Sequence, residues 1–306
     1  MRRKKINKER KNTNIDLSKK IGQRIDNFLV GTLNNIPKVL IYKWIRKGKI
    51  RINKKRIKHY YKIQKNDEIN LSRNMEKNYE EKINIEHLKY LEKLILFEND
   101  YYIVMNKPGG ISVHGGSKIS SGLIERMRYL KQNKDLGLVH RLDKHTSGCI
   151  IIAKKYEILN YFQEEFRKRK IKKIYHAIVQ NSWPTKVRKI DLPIKENNSV
   201  KKKEKSSLTY VKIIEKLEKS TFLEINPHTG RNHQIRIHLA QENCPIFFDK
   251  KYGFKEKTIK KNSKKILLHA YKIAFKDPIN QKRAEFIAPY DSFFQKYLKK
   301  LKLRKL

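Results

Sequence analysis

The sequence predicts an α+β chain: a large domain built on a mixed, mainly antiparallel sheet, preceded by a small α/β unit. Two observations carry this. Beyond residue 95 the apolar residues come in short runs between turns, without the regular strand–helix alternation that builds a parallel sheet. Between residues 22 and 72, two helical stripes and two short alternating runs sit close together.

Taken in order, residues 1–20 are charged, polar and aperiodic, and read as a flexible basic arm. Ile25, Phe28, Leu29 and Leu33 then share one helical stripe. Pro37 opens a second helix carrying Leu40, Ile41, Trp44 and Ile45, and Gly48 stands where a glycine closes a helix. Ile50 and Ile52 alternate, Asn53-Lys54 turns, and a strand with Ile69 and Leu71 follows a turn at Asn66-Asp67. Residues 21–72 are therefore read as one domain. Residues 73–95, polar and without Gly or Pro, are read as a linker.

The second domain is expected over 96–306. Its first strand is read as Leu94–Phe97, across that boundary. Further strands are read at Tyr101–Met105, Cys149–Ala153, Tyr175–Val179, Thr209–Ile214, Phe222–Ile225 and Ile266–Leu268. Helices are read at Ser121–Leu130, Lys155–Arg169 and Arg231–Gln241.

The 306 residues carry 74 Lys+Arg against 30 Asp+Glu, a net charge of +44. Of the basic residues 56 are Lys, and part of that excess is compositional, yet such a charge draws in polyanions, nucleic acid first. From Lys38 to Asn66 there are twelve Lys/Arg and no acidic residue, so charge concentrates on the small unit. No apolar run is long enough for a membrane span, and no apolar stretch follows the basic start as a secretory signal requires. Cys149 and Cys244 alone suit a reducing compartment and cannot make a zinc ribbon. A cytoplasmic protein is expected. Neither glycine-rich nucleotide fingerprint occurs, so a nucleotide cofactor has no support.

Three stretches place charged groups at the ends of apolar runs. In the first, Gly137–Gly148, His140, Arg141, Asp143, Thr146 and Ser147 crowd a loop before the strand Cys149–Ala153. Asp143 there either does chemistry or only caps a turn through its carboxylate. In the second, Pro227–Ala240, a helix starting at Thr229 or Gly230 would line Arg231, His233 and Arg236 along its first turns. His228, His233 and His238 invite a metal, but five helical residues turn about 500°, which leaves His233 and His238 about 140° apart. No metal is expected. The third, Lys173–Val179, opens a strand at Tyr175 and says little alone.

Residues 22–72, with RIDNFL, YKWIRKGKIRINKKRI and KNDEINL, resemble the S4 RNA-binding domain. The alternative is a small basic cap that only packs. Under the S4 reading Lys38, Lys43, Arg46, Lys47, Lys49, Arg51, Lys54, Lys55 and Arg56 meet RNA phosphates.

The NKPGG and VHGG stretches, HRLDKHTSG, KKIYHAIV, PHTGRNHQIRIHLA, PIFFDKKYG and LLHAYKIAFKDP together resemble the RluA family of pseudouridine synthases over residues 22–290. The likeness is strongest to its C-type branch, which acts on the large ribosomal subunit. One departure is His145, where an acidic residue is common.

The resemblance implies isomerisation of uridine to pseudouridine in RNA, here 23S ribosomal RNA or the large-subunit precursor. No cofactor is implied, and a monomer is expected. Asp143 matches the catalytic aspartate, Arg236 the arginine that pairs with it, and Tyr175 the tyrosine that stacks on the base. A guanidinium can grip a carboxylate through two parallel bonds, which is the geometry expected of Arg236 on Asp143. Arg141, with His140 and Arg231, is set against the RNA, and Leu267 and Leu268 wall the pocket. Two other readings stand beside it. One is a non-catalytic RNA-binding ribosome assembly factor. The other is a hydrolase using Asp143 with the nearby histidines.

Overall fold

The computed structural model describes residues 11–12, 21–33, 38–72, 85–115, 122–195, 204–255 and 265–303. Most of the expected basic arm, and Pro37, lie outside them. The chain divides into two compact units, Met1–Lys89 with His114–Lys134, and Tyr90–Val113 with Asp135–Leu306.

The first unit opens with β1 (Lys11–Asn12), α1 (Ile25–Thr32) and α2 (Lys38–Arg46), then β2 (Ile50–Ile52) and β3 (Ile69–Leu71). The three strands pair antiparallel in the order β1-β3-β2, so two residues of the expected arm join a sheet. The expected stripes form its core: Ile25, Leu29, Ile41, Trp44, Ile45, Ile50 and Ile69 are buried. Asp26, buried in α1, accepts from the Arg24 guanidinium and from the Tyr42 hydroxyl of α2, which ties the helices together.

α2 ends as its sequence expects. Gly48 takes φ 66°, its N–H donates to Ile45, and Lys49 N–H reaches back to Trp44. These two bonds cap the last carbonyls of the helix. Asn53 and Lys54 both take positive φ (49° and 63°), and the pair turns the chain between Ile52 and Lys55. The turn brings basic side chains onto one surface. Arg51 donates to the carbonyls of Gly48 and Lys54, and Arg56 lies against Gly48. Lys43, Arg46, Lys47, Lys54, Lys55 and Arg56 are exposed, Lys49 and Arg51 half-buried, while Lys38 starts α2.

Part of the stretch read as a linker is helical: α3 (Ile85–Glu92) buries Leu88 and Leu91. Its few apolar positions lie in a charged background, too weak a stripe to stand out in sequence. After α3 come β4 (Ile95–Glu98), β5 (Tyr102–Lys107), α4 (Leu123–Leu130), β6 (Gly137–Leu138), β7 (Ser147–Ala153), α5 (Tyr156–Arg167) and β8 (Lys172–Gln180). They are followed by β9 (Lys189–Asp191), β10 (Ile194–Lys195), β11 (Glu204–Lys205), β12 (Leu208–Leu217), β13 (Ser220–Pro227) and α6 (Gln234–Gln241). The chain closes with β14 (Leu268–Lys276), β15 (Arg283–Ile287) and α7 (Ser292–Leu303).

Among the described residues the second unit has one ten-stranded sheet, ordered β4-β5-β7-β14-β8-β13-β12-β9, with β15 on β14 and β6 on β7. Only β7 and β14 run parallel; every other pair is antiparallel. The mixed, mainly antiparallel sheet is as predicted. One core cluster lies under α5, where Ile158 and Phe162 meet Tyr102, Val104, Ile151 and Phe275. Another joins β8 and β13 to α6 and α7 through Ala177, Leu223, Leu239 and Phe294.

Gly148 is required where β7 meets β14. Its φ is 110°, and a β carbon there would lie 2.3 Å from the carbonyl oxygen of Ala270. The two strands therefore approach closely at their first residues.

Candidate active site

The loop between β6 and β7 is built by its backbone. Thr146 N–H donates to the carbonyl of Asp143 at 3.1 Å, and Gly110 N–H donates to that of Lys144 at 2.7 Å. From the NKPGG stretch, the fully buried Lys107 donates to the carbonyls of Pro108 and Ile111 at 2.9 Å and of Lys144 at 3.4 Å. Burial pushes the Lys107 ammonium down to about 7, against the opposing pull of Asp143. Below the loop, Ser147 hydrogen-bonds His269 Nδ1 at 2.8 Å, while His269 Nε2 meets the Ala288 carbonyl at 3.0 Å. The turn thus closes without the Asp143 carboxylate. The turn-capping reading is set aside, and that carboxylate points elsewhere.

It points at Arg236. Nη1 of Arg236 donates to Asp143 Oδ2 at 3.1 Å, with the arginine side chain 5% and the aspartate 17% exposed. The two parallel bonds expected of this guanidinium go to another partner. Nε and Nη2 donate to the two oxygens of Asp249 at 2.7 and 2.9 Å. Burial by itself would lower the Arg236 pKa, but Asp249 and then Asp143 outweigh it and raise it. The Tyr252 ring lies 4.9 Å from the guanidinium. Asp249 and Tyr252 belong to the PIFFDKKYG stretch, which suggested no site role in sequence because their partner lies on a different element.

α6 starts at Gln234, three residues after the predicted helix start at Arg231. His233 stands before it with φ 56°, a left-handed conformation that breaks the helix there. The TGR turn is knitted by Gln234: its oxygen accepts from Thr229 Oγ1 and Arg231 N–H, and its amide donates to the Leu208 carbonyl and Thr209 Oγ1. Arg231 and His233 therefore come from a loop rather than from helix turns. His233 Nε2 lies 3.7 Å from Asp143 Oδ2. His238, fully buried, bonds Ser207, Thr209 and the Leu192 carbonyl instead.

Lys173 and Tyr175, two residues apart on β8, face the same side. Burial first, and the charge of Asp143 next, raise the Tyr175 pKa, so its phenol stays neutral. Burial and Arg169 lower Lys173 to about 8.

These groups surround a cleft of about 170 Å³, lined among others by Arg141, Asp143, Lys173, Tyr175, Arg231 and Arg236. Leu268 also lines it. His140 is placed outside this lining: its Nε2 accepts from Ile151 N–H at 3.1 Å and its ring stacks on Phe166. Burial drives its pKa down to about 3, so it supports the loop as a neutral ring.

Asp143, Tyr175 and Arg236 thus meet from three motifs far apart in sequence. The sequence matches the family description RNA pseudouridylate synthase over residues 101–241 and the S4 domain over residues 23–69. The chain belongs to the RNA pseudouridine synthases, isomerases of the mixed α+β fold seen here, and carries an N-terminal S4 domain.

Individual relatives place it more narrowly. It is 42% identical over 295 residues to ribosomal large subunit pseudouridine synthase C of Buchnera aphidicola subsp. Baizongia pistaciae, covering 91% of this chain and 94% of that protein. It is 39% identical over 290 residues to the protein of that name from Vibrio parahaemolyticus serotype O3:K6, covering 90% and 92%. Among solved structures, human RNA pseudouridylate synthase domain containing 4 superposes with a TM-score of 0.59 at 26% identity. That match spans 71% of this chain and 95% of the human one.

Proposed function

We propose that this enzyme converts uridines of 23S ribosomal RNA, in the large subunit or its precursor, to pseudouridine, with Asp143 carrying the reaction. The supporting observation is the convergence of Asp143, Tyr175 and Arg236 on one cleft. The relatives named for the ribosomal large subunit support the substrate. Among the described residues no helix is long and apolar enough to cross a membrane. We infer a monomer acting in the cytoplasm.

The reaction breaks the N-glycosidic bond, turns the base and joins its carbon to the sugar. The C5 hydrogen leaves as a proton and the freed N1 takes one up, so composition and oxidation state are unchanged. A stacked base hides its glycosidic bond, so the uridine must leave the helix and enter the cleft. Arg141, exposed at the cleft, and Arg231 meet the displaced strand. Both Arg236 and His233 contact Oδ2 of Asp143, which directs Oδ1 to the substrate as nucleophile or base. Tyr175 offers its ring as the stacking face.

RNA carrying tritium at uracil C5 tests this. Release of tritium is expected with wild type, because carbon–carbon bond formation replaces that hydrogen; an assembly factor or a hydrolase would release none. In the same assay Tyr175→Phe is expected to retain most turnover and Tyr175→Ala to lose it. A Phe variant as impaired as Ala would assign the role to the hydroxyl.

The S4 surface supplies affinity more than chemistry. Replacing Arg46, Lys47, Lys54, Lys55 and Arg56 by Gln is expected to lower the slope of log affinity against log salt by roughly 3 to 4. An unchanged slope would favour the basic cap that only packs.

A further inference from the structure

His233 invites a metal by residue type, its spacing to His238 counts against one, and its surroundings fix it for a different task. It sits in the left-handed region at φ 56°, a cost for a side chain bearing a β carbon. Its ring is 18% exposed and edge-on to Tyr252. Nδ1 lies 2.7 Å from the Tyr252 hydroxyl and 3.3 Å from Lys251 Nζ. An ammonium only donates, so Nδ1 is the accepting nitrogen, and in the neutral ring the single proton is on Nε2. Nε2 is the atom 3.7 Å from Asp143 Oδ2.

We propose that His233 is a second donor to Asp143, fixed as the Nε2–H tautomer by Lys251 and Tyr252, and that it closes to hydrogen-bond length when uridine fills the cleft. Catalytic hydrogen bonds are often long before substrate binds. The inference rests on the reading that Asp143 carries the isomerisation. The groups facing the ring are Asp143 from the β6–β7 loop, Arg236 on α6, and Asp249 and Lys251 from the following turn. Burial first, then Arg236 and Lys251, hold its pKa below the usual histidine value, against Asp143 and Asp249. His233 therefore meets Asp143 as a neutral donor, while Arg236 brings the charge. The same short segment, Asp249 to Tyr252, orients both, with Asp249 gripping the arginine and Tyr252 touching arginine and histidine.

Two measurements test this on the full-length protein. Nitrogen-15 NMR of histidine-labelled wild type, with His233→Gln identifying the signal, is expected to show the Nε2–H tautomer; the Nδ1–H pattern would overturn the inference. In the tritium assay His233→Leu is expected to lower kcat about 10- to 100-fold at unchanged KM and melting temperature, the scale of one lost hydrogen bond to a charged group. His233→Gln, which keeps an N–H donor, is expected to recover most of that loss. Equal losses in both variants, or none in the leucine variant, would overturn it. Asp143→Asn run alongside separates the two readings. If it is inactive while His233→Leu is fully active, only this inference fails, whereas an active Asp143→Asn removes both.

Discussion

Asp143→Asn is expected to lower tritium release by roughly 10³-fold or more while leaving the melting temperature close to wild type. Asparagine has nearly the volume of aspartate, and its amide oxygen still accepts the 3.1 Å bond from Arg236 Nη1. The loop does not depend on the carboxylate, because its turn is closed by the main-chain carbonyl of Asp143 and anchored through that of Lys144. Arg236 keeps its charge partner, since Asp249 still grips it at 2.7 and 2.9 Å. The fold therefore loses about 1 kcal/mol or less. Under the proposed role of Asp143 the chemistry would lose its essential group, because an amide neither forms the required bond nor takes the proton. RNA affinity is expected to hold or rise slightly, as one negative charge leaves a cleft lined by Arg141, Lys173 and Arg231. A variant that still isomerises uridine at a sizeable fraction of the wild-type rate would remove Asp143 from the centre of the site.

What sequence shows of this molecule is what local signals specify. α2, its closing Gly48 and the Asn53-Lys54 turn are each set by residues within a few positions of one another, and all three form as read. Elements whose signal is spread or diluted are not legible. β14 was read only as Ile266–Leu268 because Lys272 and Lys276 interrupt its apolar pattern, although it is held on both sides by β7 and β8. β9, β10, β11 and β15 are short or largely exposed, and among the described side chains of α7 only Phe294 and Leu301 are firmly buried.

The site divides in the same way. Asp143, Tyr175 and Arg236 sit in motifs distinctive enough to be picked out, and they do meet. Asp249 is tied to Arg236 by two bonds where Asp143 has one, and is more deeply buried, at 2% exposure. Yet an acid thirteen residues beyond the arginine, on a turn after α6, has no spacing that announces the pair. His233 shows the converse. Its spacing to His238 was read along one continuous helix, but a left-handed residue at a helix start cannot be foreseen from a run that continues smoothly into the helix.

Arg236→Lys is the substitution in which that hidden partner changes the expected outcome. If Arg236 served Asp143 alone, lysine would keep the charge and spare the fold. Instead the guanidinium bridges two carboxylates, with Nε and Nη2 on Asp249 and Nη1 on Asp143. One ammonium cannot reproduce a planar fork and a third bond at the opposite edge. It is expected to settle on Asp249, the more buried of the two, leaving Asp143 without its cation. The variant therefore loses turnover about as severely as Asp143→Asn. It also loses stability, roughly 2 kcal/mol, because a buried bidentate pair becomes a single contact and the Tyr252 ring loses the flat face it packs on. A lowered melting temperature together with lost tritium release is thus the expected signature, against the lost activity and intact melting of Asp143→Asn. Unchanged melting in Arg236→Lys would mean that Asp249 does not depend on the fork. Near-normal turnover would mean that the bond to Asp143 has no part in the reaction.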